Sequence, residues 1–201
     1  MHEDIGAIAE LAAADGPMQV IGIDIPIGLA DRSPRQADLL ARKAAGARWA
    51  SVFVTPVRSA LALADYQQAS ALNRRLAGSG ISRQAFNLRE KILQVDGWLP
   101  SAPCAVVEVH PELSFAELAG APLTDSKLTW AGAVLRRQLL GAAGIEVSGD
   151  LGLSGRQAGV DDVLDAAAVA WTAARVARGT ARCVPDPPER FSDGIAAAIW
   201  T

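Results

Sequence analysis

The sequence predicts an α/β fold in which a layered sheet is flanked by helices, and three observations carry that prediction. Short apolar runs that read as buried strands alternate with longer segments of helical periodicity. A chain of 201 residues, half of them hydrophobic and a fifth charged, suits one globular domain over residues 1–201 with a sizeable core. No stretch reaches the roughly 18 apolar residues of a membrane span, and the amino-terminal stretch MHEDIGAIAELAAAD is acidic where a leader would be basic and then apolar. A soluble, cytoplasmic protein with no membrane partner is the expectation.

The elements follow in order. Residues 3–14 place Ile5, Ile8, Ala9, Leu11 and Ala12 at helical spacing, and Asp15-Gly16 ends that helix. A strand over 18–24 comes next, within VIGIDIPIGL (20–29), where Asp24 interrupts an otherwise apolar run just before a Pro/Gly turn. Pro34 starts a helix that runs over 34–45 and is closed by Gly46, and SVFVTP (51–56) reads as a short strand. Helices are predicted over 59–77 and, with Ser82 as N-cap, over 83–98. CAVVEVHPE (104–112) carries a second buried strand, interrupted by Glu108 and His110, and helices follow near 111–119 and 126–142. The last long helix spans 160–178, after which the Pro-rich VPDPPERF leads to a short apolar carboxyl end.

Charge is unevenly spread along a chain of net charge −3. Between Asp31 and Lys91 stand 11 Lys/Arg against 4 Asp/Glu, and the remainder holds 8 against 18. Cations that grip phosphate opposite carboxylates that hold metal would suit a phosphodiester-handling protein, although solvated helix faces give the same pattern. Cys104 and Cys183 match no metal-ligand or redox spacing and read as buried free thiols. The chain has no GxxxxGK[ST], GxGxxG or HExxH, so P-loop, dinucleotide and zincin chemistries lack their signals.

The acids carry the functional argument. In layered α/β folds functional groups gather at the carboxyl ends of strands, where both Asp24 and Glu108 fall. A carboxylate taken out of water either shifts its pKa, finds a cation or binds metal. In VDDVLDAAAVAW, Asp161 and Asp165 are i,i+4 neighbours and Asp162 and Asp165 are i,i+3, so like charges stack on one helical face. Helix-dipole and capping roles account for one or two of these acids but poorly for Asp165. Brought together, Asp24, Glu108, Asp161, Asp162 and Asp165 have the makings of a site for Mg²⁺ or Mn²⁺, ions that prefer oxygen ligands and in pairs stabilise both the attacking and the leaving oxygen of a phosphodiester.

His110 follows Glu108 by two, so both point to one strand face; it could transfer a proton, ligate metal, or bond locally before Pro111. Arg48, Arg58, Lys91 and Lys127 are candidate phosphate contacts, with surface or structural pairing as the alternative for each. Glu112 reads as a first-turn acid, Gln84 as a helix-orienting group, and Trp171 as core more than as a base-stacking platform.

These stretches resemble the DUF429 family, whose members are described as predicted ribonuclease-H-like nucleases. The resemblance rests on IGIDIPIGL, ADLLARKAAGARWASVFVTPVRSAL, GSGISRQAFNLREKILQVD, VVEVHPELSF, SKLTWAGAVLRRQLL with Lys127, Gly132 and Arg136, DDVLDAAAVAWTAARVARG and IAAAIW, and runs nearly end to end. It implies a ribonuclease-H-like sheet in which Asp24 is the acid of the central strand, Glu108 that of the following core strand, and Asp161, Asp162 or Asp165 the helix-borne acid. Asp24, Glu108, His110, Asp162 and Asp165 are then the catalytic candidates of a divalent-metal-dependent nuclease acting on DNA or RNA.

Relatives typically open with a strand of the type GVDGCRGGW and a hairpin, and this sequence opens directly in the first helix. The resemblance therefore implies a domain lacking its first strand, through an internal start or as an incomplete version of the fold, with an exposed apolar sheet edge that invites homo-oligomerisation. The alternative to a nuclease is a non-catalytic or degenerate protein of the same fold that binds nucleic acid or serves a structural role. Sugar-kinase-like relatives use similar sheet carboxylates but need two such domains, for which this chain is short.

Overall fold

The structure, a computed structural model, describes residues 4–14, 16–149, 151 and 158–201. The helices predicted from periodicity form as α1 (Ile5–Ala14), α2 (Gln36–Ala44), α3 (Arg58–Leu61), α4 (Tyr66–Ala77), α5 (Arg83–Asn87), α6 (Arg89–Trp98), α7 (Pro111–Ala119), α8 (Trp130–Ala142) and α9 (Val160–Ala177). The predicted helix over 59–77 is broken into α3 and α4, because Asp65 adopts an extended conformation and caps α4 by accepting from the Gln68 N–H at 2.8 Å. Ser82 caps α5 as expected, accepting from the Ala85 N–H at 3.1 Å, but the helix predicted over 83–98 is broken at Leu88 into α5 and α6. The residues expected to bound the first helix, Glu3 and Asp15, lie outside the described residues.

Four strands make one mixed sheet: β1 (Val20–Ile23), β2 (Ala105–Val109), β3 (Cys183–Arg190) and β4 (Ala196–Trp200), in the order β1-β2-β4-β3. β1 and β4 run parallel to β2, and β3 lies antiparallel to β4. This α/β layering agrees with the ribonuclease-H-like expectation. Two strand assignments differ. SVFVTP is not a strand: the Thr55 N–H donates to Asp38 Oδ2 (2.7 Å) and the Val57 N–H to Asn73 Oδ1 (2.9 Å), so side chains take the place of a ladder. The Pro-rich tail does form a strand, β3, at the sheet edge and with an irregular register between Val184 and Glu189, where proline's missing N–H is tolerated.

Register decides which side chains share a face. Ile23, Glu108, Ile199 and Val184 stand side by side across the four strands. Ile199 packs with Ala37 and Ala41, so this row faces α2. Gly22, one residue earlier on β1, points to the other face, where a Cβ would lie 2.9 Å from Val169 Cγ1 and 3.2 Å from Ala173 Cβ of α9. Only glycine lets that helix approach so closely. A core of Phe115, Leu123, Leu140, Leu164 and Ala168 joins α7, α8 and α9, and the buried Ser114 and Thr172 hydroxyls bond at 2.9 Å between α7 and α9. Cys104 and Cys183 are free, as expected, but half-buried instead of buried. No helix among the described residues is long and apolar enough to cross a membrane.

Candidate functional site

The outer edge of β1 has no strand partner among the described residues, and an open cleft of about 920 Å³ wraps around it. Alanines 166, 170, 173, 174 and 177 of α9 leave the space, since a methyl group fills so little of it. Asp24, Lys127, Asp162 and Asp165 gather at one end, where β1 finishes.

Alternation brings Asp24 there. It stands one residue past β1, two beyond Gly22, and takes the α9 side on which Gly22 meets Val169. Asp165 lies one helical turn before Val169, so the two carboxylates face each other across the strand–helix junction. The reading of Asp24 as a residue within the buried strand is thus corrected: it keeps a solvent-facing surface in the cleft while protein crowds its other sides. That crowding, followed by the charges of Asp165 and Glu108, pushes its pKa up to about 8, against the pull of Lys127. Among the described residues Asp24 makes no ion pair.

Lys127 is the cation of this end. Its ammonium contacts Asp165 directly and Asp161 Oδ2 at 3.4 Å. Burial disfavours the charged amine, yet the bonds to Asp165 and Asp161 outweigh it and raise its pKa. Burial also lifts the Asp165 pKa, opposed by the direct contact with Lys127. Asp162 turns elsewhere and accepts from the Gly159 N–H at 2.9 Å, capping α9.

Glu108 does not join them. Its place in the row with Ile23 and Ile199 puts it on the α2 face, where Arg35 bonds both its oxygens (2.9 and 2.7 Å) and the Ile27 N–H adds a third bond at 2.8 Å. Burial raises the Glu108 pKa to about 7, with Arg35 opposing. Burial works against Arg35 too, but Glu108 and Asp38 more than offset it and raise the Arg35 pKa. Three hydrogen bonds, two from Arg35 Nη2 and one from the Ile27 N–H, all require an acceptor and favour the ionised carboxylate, so the structure treats Glu108 as half of a buried ion pair and not as an open metal ligand.

A second fork repeats the device two residues past His110. Arg136, fully buried, bonds both oxygens of Glu112 at 2.9 and 2.8 Å, so Glu112 stands in the first turn of α7 as expected and is also half of a buried ion pair. His110 sits between the forks, its Nε2 3.4 Å from the Ser51 carbonyl, its Nδ1 without a partner among the described residues, and its pKa lowered by burial. It borders a chamber of about 90 Å³ that also touches Asp24, Asp38, Thr55 and Glu108, and the Thr55 hydroxyl is likewise unpartnered.

Of the expected phosphate contacts, Lys127 alone lines the cleft. Arg48 reaches Glu112 at 4.0 Å, near the cleft residue Pro111. Arg58 is tied to Asp96 and Asp193, and Lys91 stands exposed on α6, away from the cleft lining. Sequence reasoning missed Arg35, Asp38 and Thr55. Arg35 reads as an ordinary polar residue before a helix, and no spacing signals that its partner lies on a strand 73 positions on.

Among the described residues no group of three or more His, Cys, Asp or Glu side chains is arranged to hold a metal. Asp24 and Asp165 nonetheless supply oxygen donors with an excess of negative charge around one ammonium. That donor set fits Mg²⁺ or Mn²⁺, which bind through one or two carboxylates and complete their shells with water and substrate phosphate. It does not fit the five-carboxylate cage that the sequence suggested.

A family model described as "Protein of unknown function (DUF429)" matches residues 3–190. No curated protein and no solved structure matches the chain.

Proposed function

Since the chain belongs to the DUF429 family, whose description assigns no activity, we propose from the chemistry of the site that the protein is a Mg²⁺- or Mn²⁺-dependent hydrolase of phosphodiester bonds in nucleic acid. The observation that carries this reading is Asp24, a carboxylate without an ion-pair partner among the described residues, just past the end of a parallel strand, in a large cleft, beside an Asp165–Lys127 pair. Asp24 and Asp165 would hold the ion, which when bound polarises phosphoryl oxygens and offsets their charge. Lys127 has one N–H left over from its two aspartates, and in the cleft that donor is available to a substrate phosphate oxygen. The Arg35–Glu108 and Arg136–Glu112 forks hold the β2–α7 junction on which Pro111 borders the same space.

The test is incubation of end-labelled DNA and RNA strands with protein and either ion. Wild-type protein is expected to release shorter products, and Asp24→Asn or Asp165→Asn to slow that release by about a hundredfold or more, as the loss of several kcal/mol of charge stabilisation demands. Equal rates in wild type and Asp24→Asn would sink the reading.

The engagement of Glu108 by Arg35 and of Asp162 in a cap favours a second reading, a non-catalytic nucleic-acid-binding protein of the same fold. It predicts bound strands and no products with either ion.

A further inference from the structure

Three of the five tryptophans, Trp98, Trp171 and Trp200, are half-buried, and Arg175 covers the Trp171 ring at 4.6 Å. The other two break the pattern. Trp130 is 83 % exposed and Trp49 53 % exposed, among the most water-facing large apolar side chains described. A large ring in water forgoes the burial that usually stabilises it, so its placement invites a search for what covers it.

Neither ring lines the cleft itself, but each stands within three residues, along the chain, of a cation of the candidate site or its border. Trp130 opens α8 three residues after Lys127, and the segment between is pinned: Thr129 caps α8 by accepting from the Gly132 N–H (3.1 Å) and donates to the Ser126 carbonyl (2.8 Å). Leu128 beside it is 78 % exposed. Trp49 follows Arg48, whose guanidinium reaches Glu112, next to the cleft residue Pro111. Arg42 lies 4.6 Å over the Trp49 ring and steadies it. Each exposed ring thus neighbours a cation that reaches a carboxylate in or beside the cleft.

We propose that Trp49 and Trp130 are stacking platforms for unpaired bases, so that the ligand of this site is single-stranded nucleic acid. The inference rests on the reading of the cleft as a phosphodiester site and names its substrate class. A ring beside a cation is the pairing that a nucleotide needs, one partner for the base face and one for the phosphate, and stacking tolerates any sequence because every base has a π-face. Bases already paired in a duplex present edges and not faces, so duplex is the poorer ligand. Two rings match a short stretch of strand and not an extended track.

The experiment is fluorescence anisotropy with labelled single strands of about twelve nucleotides, at low salt and in EDTA so that no cleavage intervenes. Trp130→Ala and Trp49→Ala are each expected to weaken binding roughly tenfold while Trp→Phe at the same positions retains most of it. The melting temperature should hardly move for Trp130→Ala, whose ring is 83 % exposed, and should fall slightly for Trp49→Ala, which loses the Arg42 contact. A strand with abasic sites should bind wild type weakly and be indifferent to both alanine substitutions. The inference is overturned if wild type does not bind single strands, if the alanine variants bind as tightly as wild type, or if the abasic strand loses as much as the normal one. Failure of the hydrolase reading shows separately, as ring-dependent binding without products when Mn²⁺ replaces EDTA.

Discussion

Ile23 stands directly beside Glu108 in the parallel register of β1 and β2, which sends Asp24 to the face carrying α9 and leaves Glu108 on the face carrying Arg35. Alternation therefore gives the two acids different partners, although both border the chamber of about 90 Å³ beside His110. One becomes structural and the other stays open to ligand.

The structural half is testable through Arg35. Removing one partner from a buried pair leaves an uncompensated charge, so Arg35→Met should cost about 3–5 kcal/mol of stability in urea unfolding. Adding Glu108→Leu should recover a good part of that loss, because the stranded carboxylate goes with it. A cost below about 1 kcal/mol for the single variant would mean that the pair contributes little.

Gly22 should tolerate no side chain. Its Cβ position lies 2.9 Å from Val169 Cγ1 and 3.1 Å from the Val169 carbonyl oxygen, and the latter is backbone that cannot rotate away. Gly22→Val is expected to destabilise by roughly 1–3 kcal/mol in denaturant titration, and Val169→Ala to relieve only part of it. Neutrality would show that α9 can shift off β1.

Asp24 should make stability fall with pH. Its folded pKa of about 8 exceeds the reference value of 3.8, so the folded state keeps a proton that the unfolded chain has lost. Its contribution is fully present below pH 3.8 and is lost as pH rises towards 8. Asp24→Asn removes this slope. In chelator, the variant's melting temperature relative to wild type should rise steadily between about pH 4 and 8, and a flat difference would contradict the pKa.

Metal binding should respond to pH in the opposite sense, because a ligand carboxylate must be deprotonated. Mn²⁺ should raise the wild-type melting temperature more at pH 8.5 than at pH 6, with a stabilisation of about 2.7 kcal/mol at a hundred times Kd. Asp24→Asn should show no saturable response. An identical shift in both proteins would place the ion elsewhere.

Much of the fold is legible in the sequence because local signals agree with the tertiary outcome. Pro111 at a helix start, Ser82 as a cap and the apolar run at 105–109 each specify their element without help from distant residues. β3 escapes because its prolines argue against a strand everywhere except at a sheet edge, and edge position is a tertiary fact. Lys127, Asp165 and Asp24 are singled out by charge and place in the sequence, and in the structure they line one cleft. The face that Glu108 takes is not legible there, since period-2 alternation assigns faces only once the register with β1 is known, and a shift of one residue reverses the answer.

The two forks have a mechanical meaning beyond their energies. Glu108 and Glu112 are each gripped through both oxygens by a fully buried arginine, and they bracket His110 at two residues on either side, with Pro111 between them. A segment fixed at two points so close together has little conformational entropy left to lose. Whatever enters beside Pro111 meets a preorganised jaw whose ordering was completed during folding, and the free energy of contact then goes into holding the ligand instead of arranging the protein.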